Sequence, residues 1–217
     1  IQNDKNMVSQ GQYFNPLTSL YLFPRGEDFS DVAVYERYDD LSGVNTQYWP
    51  YGDLGGVSSQ NPYWIMNRMN RENDRRRYKL AASLQYNIIE GLNVQGRVSI
   101  DNTESKYTEK FHAGTVGNFA GPKGRYKEEN RLDRQVYADV LANFNKTFNE
   151  FNVTANLGAS IKDLRMELTS LHGDLNNVTN HFTIENLTRS GYYKVNADGL
   201  KRQTQSVFAN AEIGWRS

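Results

Sequence analysis

Three histidines, His112, His172 and His181, are the side chains of this chain best suited to metal binding or proton transfer. None has a second ligand at a metal-binding spacing. The adjacent carboxylates Asp39 and Asp40, and likewise Glu128 and Glu129, point apart in an extended chain, so neither pair converges for acid–base work. The glycine-rich run GTVGNFAGPKG lacks the Lys-Ser/Thr of a phosphate-binding loop, and GDLNN lacks the spacing and terminal Glu of a calcium loop. Asn152-Val153-Thr154 and Asn177-Val178-Thr179 match a glycosylation acceptor, a pattern common by chance. The expectation is therefore no catalytic group, no metal, no cofactor and no enzymatic activity. What remains is aromatic: Tyr48, Trp49, Tyr51, Tyr63 and Trp64, with Arg68 close by. An aromatic face with a polar handle suits stacking on a sugar or on a partner protein. The competing reading makes these rings the small core that a long ordered loop needs.

The elements that would carry these residues show best at 75–101. There Tyr78, Leu80, Ala82, Leu84, Tyr86 and Ile88 share one parity, and Arg77, Lys79, Ala81, Ser83, Gln85 and Asn87 the other. After Ile89-Glu90-Gly91, Leu92, Val94, Gly96, Val98 and Ile100 alternate with Asn93, Gln95, Arg97, Ser99 and Asp101. Period two means strands, so this is a hairpin with one apolar and one polar face. Each run is about twice the usual strand length and matches the roughly 9–11 residues that a transmembrane β-strand needs. The pattern recurs at 132–148, with Leu141 breaking its polar set. It recurs again at 151–161 after the turn Asn149-Glu150, and at 203–217. Tyr78, Tyr86 and Trp215 fall on the apolar parity, as an interfacial girdle requires. Arg77, Lys79, Gln85, Arg97, Asp101, Asp139, Glu212 and Arg216 fall on the polar parity and are expected to pair with neighbouring strands or with a plug.

Between these hairpins the period is lost. Residues 1–73 read as an aromatic, ordered loop with two short helices, one around 29–38 capped by Ser30, the other around 62–69 capped by Asn61 with Pro62 first. Residues 103–131 and 162–202 read as further long loops. The expected order is loop 1–73, hairpin 74–102, loop 103–131, hairpin 132–161, loop 162–202 and last strand 203–217, all within one domain. Short turns thus alternate with long connections, as periplasmic turns and extracellular loops do in outer-membrane barrels. About five strands cannot close a barrel, and left open they expose unpaired edges, so the fold class is all-β: an antiparallel transmembrane β-barrel segment of a larger barrel.

Composition narrows the classes. Lysines and arginines (25) balance aspartates and glutamates (25), so nothing favours nucleic acid as a partner, and Arg75-Arg76-Arg77 reads as a polar rim. There are no cysteines, which excludes disulfides and thiolate metal sites. The mean hydropathy of −0.74 and the lack of a long apolar run exclude a transmembrane helix but not a barrel, whose strands are only half apolar. The chain opens without a secretory signal, so either it is cytosolic or its first residue is not the native start.

The runs GQYFNPLTSLYLFPRG, VYERYD, NTQYWPYGD, QNPYWIMNR and RRRYKLAASLQYNI resemble the SusC/RagA type of TonB-dependent outer-membrane transporter. That resemblance implies a barrel of about 22 strands with a plugged lumen. It also implies a SusD-like surface lipoprotein acting as a lid, oligosaccharide or peptide as cargo, and energy supplied by the TonB complex. Plug, TonB-contacting segment and remaining strands lie outside these residues, so this segment supplies barrel wall and outer loops. Tyr48, Trp49, Tyr51, Tyr63, Trp64 and Arg68 become candidates for contact with substrate or lid. Lipid or lipopolysaccharide is the expected surround, and the bacterial outer membrane the expected location. The alternative is a soluble all-β carbohydrate-binding module using the same aromatics.

Overall fold

The computed structural model describes residues 1–5, 14–51, 60–191 and 193–215. Stretches 11–13 and 52–53 of the family-like runs, and the inward-facing Arg216 expected above, lie outside them. The fold is all-β and antiparallel. An open six-stranded sheet runs in the order β1-β4-β5-β6-β7-β8, and a separate hairpin pairs β2 with β3. The large sheet comprises β1 (Gln2–Lys5), β4 (Met69–Ile89), β5 (Leu92–Phe111), β6 (Arg125–Phe148), β7 (Phe151–Asp174) and β8 (Lys194–Trp215). The small one comprises β2 (Glu36–Asp39) and β3 (Val44–Gln47). Two helices, α1 (Pro16–Tyr21) and α2 (Pro62–Arg68), precede β4. None of the described helices is long and apolar enough to cross a membrane.

The five long strands are where expected but much longer, and β1, β2 and β3 are additional strands within the expected loop 1–73. β4 begins at Met69, β6 at Arg125 and β8 at Lys194, while β7 continues to Asp174. The loops expected at 103–131 and 162–202 therefore shrink to the connections 112–124 and 175–193 between these strands. The first loop is not continuous either, because β1 pairs with Glu72–Arg75 of β4. The physical reason is that alternation needs two different environments. Where both faces are polar, a strand persists without a period, held by cross-strand pairs. Lys106 of β5 bonds Glu128 of β6 at 3.2 Å, and Arg125 of β6 bonds Asp174 of β7 at 2.7 Å.

The chain divides into two compact units. The first comprises Ile1–Arg75, Ser105–Asn130 and Leu168–Ala197; the second comprises Arg76–Glu104, Arg131–Glu167 and Asp198–Ser217. The first unit has an ordinary core: Trp64, Ile65, Met69, Phe111 and Ala120 are buried, with Phe14, Tyr35 and Phe119 against them. A second cluster gathers Tyr126, Leu175 and Leu187. The second unit is built the other way. Its hydrophobic side chains stand bare on one face: Leu84 is 77 % exposed, Val207 80 % and Ile213 72 %. Its polar face is closed by ion pairs, Arg77 with Asp101 at 2.6 Å and Arg97 with Asp139 at 2.9 Å. The expected pairing of polar-parity charges with neighbouring strands therefore holds for these four. The same face carries an apolar contact, Phe208 of β8 lying over Gly158 of β7 with Leu141 of β6 beside it. A Cβ on Gly158 would stand 2.3 Å from that ring.

Candidate functional site

The first unit is organised by Asn61. Its side chain caps α2 by accepting from the Tyr63 amide at 2.9 Å, and Pro62 fills the first helical position. The same side chain donates to the carbonyls of Val32 and Tyr48, while its backbone amide donates to the Gln47 side chain. One buried residue thus ties α2 to the segments that carry Tyr48 and Val32. The turn at 29–33 is a 3-10 helix, capped by Asp28 rather than by the expected Ser30. Asp28 offers the carboxylate that accepts from the Ser30 amide. Helix α1 repeats the Asn-Pro signal, with Asn15 accepting from the Leu17 amide.

Each aromatic candidate can now be placed. Trp64 is 0 % exposed and donates its indole N–H to Thr115 Oγ1 at 3.1 Å. It is a core residue, and its buried surface also backs the cleft that Arg68 lines. It was drawn inward because α2 has only one face to bury, and Trp64 and Ile65 lie on it. Tyr63 points the other way, 37 % exposed, and stacks on Tyr35 at 6.4 Å. Tyr48 lies half-buried beneath the Arg37 guanidinium, 3.4 Å from its centroid. Trp49 and Tyr51 meet edge to face at 5.5 Å, and Tyr51 meets Phe23 in the same way. Arg68 forms a two-pronged pair with Glu36, at 2.8 and 2.9 Å. That hydrogen-bonded pair holds the Glu36 carboxyl below its ordinary value and raises Arg68.

The six candidates do not form one surface. Two of them, Arg68 and Trp64, line a cleft of about 540 Å³ whose rim includes Tyr38, Asn45, His112, Thr179 and Asn180. The cleft exists because two loops approach closely at Gly114, where Gln47 donates to its carbonyl. Gly114 has φ +85° and would place a Cβ 2.2 Å from the Asn45 carbonyl, so no other residue fits. Asn180 accepts from the Ala113 amide at 2.7 Å and fixes the opposite wall. His112 Nδ1 lies 3.0 Å from the Arg68 carbonyl, which can only accept, so Nδ1 donates and Nε2 is left as an acceptor. Burial, reinforced by the Arg68 charge, holds His112 below its ordinary value and neutral. The cleft therefore offers guanidinium, amide, hydroxyl and imidazole groups at balanced charge, chemistry suited to hydroxyls or peptide amides. Tyr38 and Asn180 were missed by sequence reasoning, and His112 was weighed only for metal binding or proton transfer; the three come from distant segments and share no local signal. Among the described residues no group of three or more His, Asp or Glu is placed to hold a metal.

No family model and no curated protein matches this chain. Solved structures do. Chains from the RagAB peptide transporter share 12 % identity over 78 % of this chain, with a TM-score of 0.60. Those from the RagAB peptide importer share 15 % in the "closed-closed" state (TM-score 0.61) and 13 % in the "open-open" state (TM-score 0.63). The likeness covers only 22 %, 19 % and 18 % of those chains, about a fifth of their length. At such identities it is a likeness of fold.

Proposed function

We propose that this chain forms part of the wall and outer loops of a TonB-dependent outer-membrane importer. Its cargo is oligosaccharide or peptide captured together with a SusD-like surface lipoprotein. The observation that carries the reading is the inverted second unit. A sheet face this apolar and this bare is not stable in water, while a hydrocarbon surround makes it the favoured arrangement. On β4 the apolar parity runs from Tyr78 to Ile88, roughly 35 Å of strand, which a tilt of about 45° converts to the height of about 25 Å typical of a barrel's apolar band. The likeness of fold to chains of a peptide transporter supports the same reading, and favours peptide over glycan. The short turns at Glu90-Gly91 and Asn149-Glu150 are then periplasmic, and the cleft at Arg68 and His112 faces outward as a contact for cargo.

The lid has its own candidate surface. Tyr21 and Leu22 at the end of α1 are 86 % and 66 % exposed, too apolar for a loop surface that meets only water. In this reading the chain carries out binding and passage, with no bond chemistry of its own. Uptake of labelled oligopeptides by cells carrying the whole protein tests it. Uptake should depend on the TonB system and fall when Arg68 and His112 are both replaced by alanine. Undiminished uptake in the double variant would remove the cleft from the proposal. The second reading, a soluble carbohydrate-binding module, is favoured only by the loop aromatics; it requires that the protein fold in water without detergent.

A further inference from the structure

On the apolar face of the second unit the strand rows can be counted. Ala138, Ile161 and Gln205 lie together, as do Val140, Ala159 and Val207, around one shallow groove of about 490 Å³. Two steps of two residues along β6, β7 and β8, away from the turns, lead to Arg134, Arg165 and Lys201. Gly199 beside the Met166 carbonyl shows that β7 and β8 keep this register. Residues two apart on a strand share a face. Three cations therefore stand side by side on neighbouring strands, about 5 Å apart at their Cβ atoms.

Like charges facing one another across a ladder destabilise it unless an anion joins them. Three acids lie close: Asp163 one step toward the groove, and Glu167 of β7 and Glu104 of β5 one step beyond the row, none of them in the row of cations itself. Arg165 bonds Glu167 on its own strand at 2.7 Å, but both side chains are about half exposed, so the pair is weak and exchangeable. Among the described residues Arg134 and Lys201 have no ion-pair partner. The groove begins two rows from these cations, floored by Ala138 and Ala159 and walled by Val140, Ile161 and Val207.

We infer that Arg134, Arg165 and Lys201 bind the phosphate of a membrane glycolipid, with one of its acyl chains lying in the adjacent groove. Arginine forks match phosphate oxygens two at a time, and the juxtaposed groove selects a lipid over free phosphate or an acidic protein. The inference rests on the membrane orientation proposed above, which puts this row at the outer leaflet, where phosphorylated glycolipid is abundant.

The test uses the whole protein in phosphatidylcholine nanodiscs doped with lipid A or with lipid A stripped of its phosphate, read by native mass spectrometry. The wild type should retain phosphorylated lipid A on the order of tenfold better than the stripped form, with millimolar inorganic phosphate failing to compete. R134Q/R165Q/K201Q should abolish that preference, and the exposed single change K201Q should reduce it while leaving the fold intact. Equal retention of both lipids by the wild type, or an unchanged preference in the triple variant, overturns the glycolipid site and leaves the importer reading standing. Competition by inorganic phosphate overturns the lipid component. Failure of the wild type to enter nanodiscs overturns both readings.

Discussion

The two units of this chain solve opposite problems. The first hides Trp64, Met69 and Phe111 in a core. The second presents Leu84, Val207 and Ile213 and pairs its charges on the other face. The residue types are much the same in both. In the importer reading what differs is the solvent that each surface is built for, so the same hydrophobic driving force gives a buried core in one unit and a bare face in the other.

The largest expected effect breaks the first unit alone. Trp64→Ala should cost it about 3–5 kcal/mol, from lost burial and the cavity left behind. Hydrogen exchange should then show deprotection of 60–68 and 112–120, with the strands of the second unit still protected. Next, Leu84→Arg should cost about 2–4 kcal/mol when the whole protein is refolded into bilayers under a denaturant titration. An effect within about 0.5 kcal/mol would mean that Leu84 faces water. Gly158→Val should cost about 1–3 kcal/mol in the same titration, because Phe208 cannot give way without leaving its place on the polar face.

The smallest effect is acid loosening of the first unit. His112 in the fold sits below its ordinary 6.5, so the unfolded chain takes up the proton first. Its contribution is complete above that value and declines as the pH falls beneath it. Glu36, held below its ordinary 4.5 chiefly by the Arg68 hydrogen bond, adds a second loss at lower pH. Limited proteolysis across about pH 7.5 to 5 should show the first loss, and His112→Gln should remove it.

The hairpins were legible because one face of each was to be apolar, and alternation reports that directly. The outer parts of the same strands were not, because a strand wet on both faces has no period. A subtler signal was present. Arg131 with Asp133 and Arg165 with Glu167 are opposite charges two apart, and both bond along one strand face. That spacing brings side chains together on a strand and not on a helix. In the first unit Asn61-Pro62 announced α2, and the identical Asn15-Pro16 marked α1 just as plainly. The connection 175–193 could not be read so. Asn186 folds it by accepting from the amides of Asn177 and Val178 and donating to the carbonyls of Val178 and His181. Nothing in the type or spacing of a lone Asn indicates four such bonds.

The central claim, that the bare face of the second unit meets hydrocarbon, is tested most directly by site-directed spin labelling. The whole protein is placed in bilayers, with single cysteines introduced at successive positions from 80 to 87, a stretch in a segment free of native cysteine. Accessibility to oxygen, which concentrates in lipid, should peak at Leu80, Ala82, Leu84 and Tyr86. Accessibility to a water-soluble nickel chelate should be higher at Ala81, Ser83, Gln85 and Asn87 than at those four. If Leu84 and Gln85 proved equally open to the nickel chelate, the face would be one that meets water, and the importer reading would fall with it.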